Sequence, residues 1–149
     1  MTIAIGADHG GFALKETLIK MLSEKGYEFT DYGTYSPDRC DYPDIAEAVA
    51  NAIVEGKHEK GILICGTGIG ISIAANKVNG IRAAACQSYF AARYCRLHND
   101  ANILCLGERI TGPGAAAEMA ELFLTGEPEG GRHVGRIEKI SAIEAKNSK

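Results

Sequence analysis

Apolar and polar positions along the chain switch between two periods. Short runs that are almost wholly apolar or small alternate with longer stretches whose apolar residues recur every three or four positions. The runs are Thr2 to Gly6, the more polar Tyr27 to Asp31, Ile62 to Cys65, Gly80 to Cys86 and Ala101 to Gly107. Unbroken apolar runs of this length suit strands covered on both faces, as in a parallel sheet. Between them, Phe12, Leu14, Leu18, Ile19 and Leu22 share a helical face that Gly26 ends, and Ile45, Val49 and Ile53 follow Asp44 as cap and stop at Gly56. Further helical spacing joins Ile69, Ile73, Ala74 and Val78, then runs from a Ser88 cap through Ala91, Ala92, Tyr94 and Cys95 to about Leu97. Gly112-Pro113 opens another helix, with Ala116, Met119, Ala120 and Phe123 inward and Gly126 after it, and a last short helix is expected from about Ile137 to Ala145. The pattern predicts an α/β fold: a Rossmann-like three-layer αβα sandwich on a five-stranded parallel sheet. One domain should span residues 1–149, its tail from about residue 127 packing on a partner subunit.

In such sheets ligands bind beyond the carboxyl ends of the strands. The ends of runs one, three and five carry Asp8-His9, Cys65-Gly66-Thr67 and Glu108-Arg109, which should share one rim. Gly66, Gly68 and Gly70 let the backbone turn tightly and approach a ligand, and the unpaired N–H groups of the following helix start make an anion pocket. Cys65 should sit on the lip of that pocket, where a thiol ionises more readily. A buried strand cysteine beside a structural turn fits the same residues. The polar stretch Gly33 to Pro43 is long for a connection, as a lid or binding loop would be. His98-Asn99-Asp100 precedes the fifth strand and so belongs at the opposite rim of its own subunit; a role beside Cys65 requires supply from a neighbouring subunit. The alternative is a helix-end residue on the last carbonyls. Arg132 and Arg136, four apart, would with His133 and Arg109 form a cationic cluster suited to forked bonds with phosphate, or else a solvated tail.

Composition narrows the classes. The 149 residues carry a net charge of −3 and a pI near 5.8, which argues against a broad nucleic-acid footprint. No apolar run approaches the roughly 20 residues of a membrane span. No charged-then-apolar leader precedes the first strand, so a cytoplasmic location is expected. The five cysteines, Cys40, Cys65, Cys86, Cys95 and Cys105, are odd in number and contain no C-x-x-C pair, so their spacing fits neither a disulfide framework nor a zinc site. A non-catalytic nucleotide-binding module is the main competitor. It is weakened by Ile71 at the third position of the dinucleotide fingerprint, by Gln87-Ser88 where an acidic ribose contact belongs, and by the lack of a Gly-Lys-Ser/Thr loop. A redox-sensing thiol at Cys65 is a second alternative.

Taken together, Gly6-Ala7-Asp8-His9-Gly10-Gly11-Phe12, Asp41-Tyr42-Pro43-Asp44, Cys65-Gly66-Thr67-Gly68-Ile69-Gly70, Asn76-Lys77, His98-Asn99-Asp100-Ala101-Asn102 and Gly130-Gly131-Arg132-His133-x-x-Arg136 closely resemble the type B ribose-5-phosphate isomerase family across nearly the whole chain. The resemblance implies an aldose–ketose isomerase of the pentose phosphate pathway that interconverts ribose 5-phosphate and ribulose 5-phosphate through a cis-enediolate, with no metal and no cofactor. The family also contains allose-6-phosphate and galactose-6-phosphate isomerases, and the loop from Gly33 to Pro43 would decide the room for a longer sugar. By resemblance Cys65 is the base and His98 assists ring opening. Asp8, His9, Gly66, Thr67, Gly68, Ile69, Gly70 and Asn99 match sugar-binding positions, and Arg109, Arg132 and Arg136 match those holding the anionic end. Thr67 is a candidate relay for the hydroxyl proton. One branch of the family places a glutamate base at the position of Ile71, which here cannot take a proton, so the cysteine branch applies. The family's dimer with shared sites, which can pair into a tetramer, agrees with the placement argued for His98.

Overall fold

The computed structural model describes residues 1–148. Five strands, β1 (Ile3–Ala7), β2 (Phe29–Asp31), β3 (Gly61–Cys65), β4 (Ala83–Ala85) and β5 (Ile103–Gly107), form one parallel sheet in the order β2-β1-β3-β5-β4. Alternation within the central strands feeds two cores. Ile62, Ile64, Leu104 and Leu106 face one side, against α1 (Phe12–Ser23), α4 (Tyr89–Leu97) and α5 (Pro113–Thr125). Leu63, Cys65, Ile103 and Cys105 face the other, against α2 (Tyr42–Val54) and α3 (Ile69–Ala75). The expected three-layer αβα sandwich is therefore present. Gly6 allows α2 to press onto β1, since a Cβ there would lie 2.7 Å from Ile45 Cγ2.

Several boundaries differ from those read along the sequence. α2 starts at Tyr42 with Asp41, not Asp44, at its N-cap, because Pro43 suits the first turn and lets the helix begin earlier. Asp44 instead lies in that first turn, where its charge favours the helix. β4 is only three residues long. Around it, side-chain amides replace ladder bonds: Arg82 N–H donates to Asn102 Oδ1 at 2.8 Å, and Ala83 exchanges bonds of 2.8 and 2.9 Å with the Asn76 amide. Asn76 thus occupies the open edge of the sheet at Ala83. Ser88 caps α4 as expected, accepting from Ala91 N–H at 3.1 Å.

The tail helix is longer than its spacing suggested. α6 spans Arg132–Asn147, and of its residues only His133 is buried. It lies outside the two cores and is tied to the body through Glu144, which accepts from Gly80 N–H at 3.0 and 3.1 Å. Ile140 and Ile143 remain exposed on it. Among the described residues, no helix is long and apolar enough to cross a membrane.

Candidate active site

The chain leaves β1 for one edge of the sheet and returns at β3, so the carboxyl ends of β1 and β3 flank the switch point where α/β sheets hold ligands. The predicted rim forms there. Asp8 N–H donates to Ile64 O at 3.2 Å, Glu108 N–H to Cys65 O at 2.9 Å, and Arg109 N–H to Gly66 O at 3.1 Å. Asp8 is buried and accepts from Gly11 N–H at 3.1 Å, which closes the turn into α1. Glu108 reaches across to Leu14 N–H at 2.7 Å and so satisfies an unpaired donor in the first turn of α1. Arg109 is exposed, with its guanidinium carbon 3.9 Å from the point where a Gly66 Cβ would stand.

Cys65 ends β3 with only 5% of its surface exposed, so it lies on the floor of the site and not on its lip. Its sulfur accepts from Gly68 N–H at 3.1 Å. Cys65 belongs to the buried apolar cluster that also holds Leu63, Ile71 and Cys105. Cys105 is fully buried, and desolvation pushes its thiol well above the ordinary range, with Cys65 adding to the rise. The glycine turn folds over the sulfur because Gly68 takes φ +78, a left-handed conformation that also brings its Cα against the Leu106 carbonyl.

Two of the turn's donors are already committed. Gly68 N–H goes to Cys65, and Ile69 N–H goes to Thr67 Oγ1 at 3.2 Å. Among the described residues, the N–H groups of Gly66, Thr67 and Gly70 have no acceptor. The sequence pattern did not separate these two sets of donors, because which N–H faces inward depends on the φ of Gly68. Thr67 itself is exposed, its hydroxyl accepting from Ile69 N–H.

Two neighbours of the rim were missed as site residues. A Cβ on Gly70 would lie 2.8 Å from Tyr42 Cζ, so the Tyr42 ring covers that end of the turn. Its place in the Asp41-Tyr42-Pro43-Asp44 motif was the available signal. Cys40 brings the long loop to the rim, its N–H 3.2 Å and its carbonyl 3.1 Å from His9 Nδ1. Lys15, wholly buried, anchors the start of that loop: its ammonium meets both Asp31 oxygens at 2.7 and 2.6 Å and Thr34 O at 2.6 Å.

The remaining predicted residues gather elsewhere. Cys65 pairs in register with Gly107 and Gly61 with Ile103, so the two ends of these strands are roughly 13 Å apart at about 3.3 Å per residue. His98 caps α4 at the far end, and Asn99 follows it in the chain. The His98 ring stacks on His133 of α6, centroids 4.2 Å apart, and meets Tyr94 at a tilt of 56° with centroids 4.7 Å apart. Arg132 and Arg136 share α6 one turn apart and are exposed near that end. Asn99 lines an open groove of about 790 Å³ between α6 and the β4 edge, with Arg82 and Ile143. Within one chain, His98, Asn99, Arg132 and Arg136 therefore do not meet Cys65.

The family match follows the same residues. The family described as Ribose/Galactose Isomerase covers residues 3–140. The chain belongs to that family. It is 48% identical over 146 residues to ribose-5-phosphate isomerase B of Escherichia coli, covering 98% of both chains. It is 47% identical over 146 residues to the D-erythrulose-4-phosphate isomerase of Pectobacterium atrosepticum, covering 97% of this chain and 95% of that one. The solved structure of Clostridium thermocellum ribose-5-phosphate isomerase B superposes with a TM-score of 0.97 at 51% identity, over 99% of this chain and all of the other. Family membership and fold together make the chain an isomerase of the type B group. The non-catalytic nucleotide-binding alternative has no support in these matches.

Proposed function

We propose that this isomerase interconverts D-ribose 5-phosphate and D-ribulose 5-phosphate through a cis-enediolate. The observation that carries the reading is the Cys65 sulfur held at 3.1 Å under Gly68 N–H, below a turn that offers the free N–H groups of Gly66, Thr67 and Gly70. The Cys65 thiolate removes the C2 proton of the open-chain aldose, and the electron pair moves onto O1 as the enediolate forms. The thiol then returns the proton to C1, while the hydroxyl proton passes from O2 to O1, with Thr67 as relay. Free turn donors stabilise the developing oxyanion; losing one such contact typically costs about 3–4 kcal/mol of barrier. Asp8 and His9, with Ile69 at the mouth of the turn, complete the sugar end, and Tyr42 closes it.

Ring opening needs a proton donor and acceptor at the furanose oxygen, the role proposed for His98. Because His98 lies at the opposite rim of its own chain, it serves the site of a partner subunit, together with Asn99, Arg132 and Arg136. Arg109 contributes from the Cys65 side. The assembly is thus a homodimer with shared sites, α6 and the tail from about residue 127 lying across the seam. The phosphate is remote from the reacting carbons, so the arginines act by binding and orientation. Five free thiols suit a reducing compartment, and a cytoplasmic place in pentose phosphate metabolism follows.

Rates with D-ribose 5-phosphate, D-allose 6-phosphate and D-erythrulose 4-phosphate, measured side by side, test the substrate. The highest kcat/KM should fall on ribose 5-phosphate; a higher value for either of the others would overturn the assignment. Cys65→Ala should lower kcat far more than it raises KM.

A further inference from the structure

His133 is buried to 5% exposure, yet its Nε2 has no hydrogen-bond partner. That atom points at Glu129, whose Oε2 lies 3.4 Å away, while Glu129 Oε1 lies 3.6 Å from His98 Nε2. One ring nitrogen of each imidazole and one carboxylate oxygen fall within 4.8 Å of one another. The backbone builds this arrangement. Glu129 N–H donates to Leu97 O at 2.9 Å, which fixes the loop before α6 beside the end of α4. His133 N–H then donates to Gly130 O at 3.2 Å as α6 begins. A buried imidazole nitrogen left without a partner is costly unless something fills its lone pair.

We propose that His98, Glu129 and His133 bind one divalent transition-metal ion of the zinc class. Two imidazole nitrogens and one carboxylate oxygen form a donor set suited to zinc, whereas magnesium and calcium prefer oxygen ligands. Zinc takes such ligands at about 2.0–2.2 Å, so the three atoms must draw together and the stacked rings must turn out of parallel. His98 can make that movement: its side chain is 35% exposed and sits at a helix end. Three protein ligands leave a fourth position for water. The metal would occupy the His98 lone pair that ring opening uses. This makes the ion a reversible inhibitor, a consequence that rests on the ring-opening role proposed for His98; the binding itself does not.

The test uses the full-length chain, stripped by a chelator and titrated with Zn²⁺ against a chromophoric competitor, and separately with Co²⁺. One equivalent of Zn²⁺ should bind per chain, and the Co²⁺ complex should show d–d bands without a thiolate charge-transfer band. His133→Ala and Glu129→Gln should each weaken binding by more than about 10-fold, since losing even a residue that only supports a ligand commonly costs ~10–100-fold. Cys65→Ser should bind as the parent does. Unaltered affinity in both ligand variants, or a cobalt spectrum dominated by thiolate, would overturn the site. One equivalent of bound zinc should also slow isomerisation of ribose 5-phosphate. Full activity with zinc bound at these residues would leave the metal site standing and remove the ring-opening role of His98.

Discussion

At the scale of single residues, the glycine turn concentrates the most demanding geometry. Gly68 combines φ +78 with a carbonyl carbon of Leu106 3.0 Å from any added Cβ. Gly68→Ala should therefore destabilise the chain by at least the ~1–2 kcal/mol of a left-handed L-residue, seen as a lower urea midpoint. The atoms nearest an added Cβ at Gly70 all belong to the ring end of Tyr42, which is 39% exposed and can swing away in Gly70→Ala. That variant should keep its stability and raise KM, as read by denaturation and steady-state kinetics. Arg136→Ala should also raise KM with little change in kcat, because the proposed function has it bind a phosphate remote from the reacting carbons. Cys65 was legible as a candidate reactive thiol from its place at a strand end, and the family resemblance alone implied its role as base. Its position on the floor was not, since its burial comes from packing into a cluster whose other members, Ile71 and Cys105 among them, lie on other elements.

At the scale of elements, the turn after α4 sets where His98 can point. Asp100 takes φ 46, and its carboxylate meets buried Arg96 at 2.7 Å and Arg82 at 3.3 Å. Removing one partner of a fully buried pair costs about 3–5 kcal/mol. Asp100 is 39% exposed and Arg96 also binds Ala101 O, so Asp100→Ala should cost less, about 2 kcal/mol by thermal or urea unfolding. The first turn of α6 carries a pH dependence. Burial, reinforced by His98 and Arg132, holds His133 below its ordinary value. The unfolded chain then binds that proton more readily, so folded stability is complete above about pH 6.5 and falls as the pH drops through that value to the lowered one. A melting series across this range should flatten in His133→Gln. Strand and helix identities were readable from periodicity. The start of α2 and the short β4 were not, because Pro43 and the Asn76 amide act through geometry that spacing does not encode.

For the whole molecule, the decisive fact is the separation of the proposed catalytic groups onto opposite rims. A homodimer should be the active species: dilution that yields monomers in sedimentation velocity should abolish turnover in step. Mixing Cys65→Ala chains with His98→Ala chains should restore one functional site per mixed dimer, a result that a site built within one chain would not give. The amino-acid sequence by itself determined the alternation of strands and helices, the parallel sheet and the rim of Asp8, Cys65 and Arg109. These follow from local periodicity and from the rule that ligands lie beyond strand ends, both of which are written in adjacent residues. Tertiary structure alone decided which turn donors remain free, that the Cys65 sulfur is covered, and that His98, Glu129 and His133 converge. Those outcomes depend on backbone rotation at a few glycines and on contacts between segments far apart in the chain, which no spacing rule can supply.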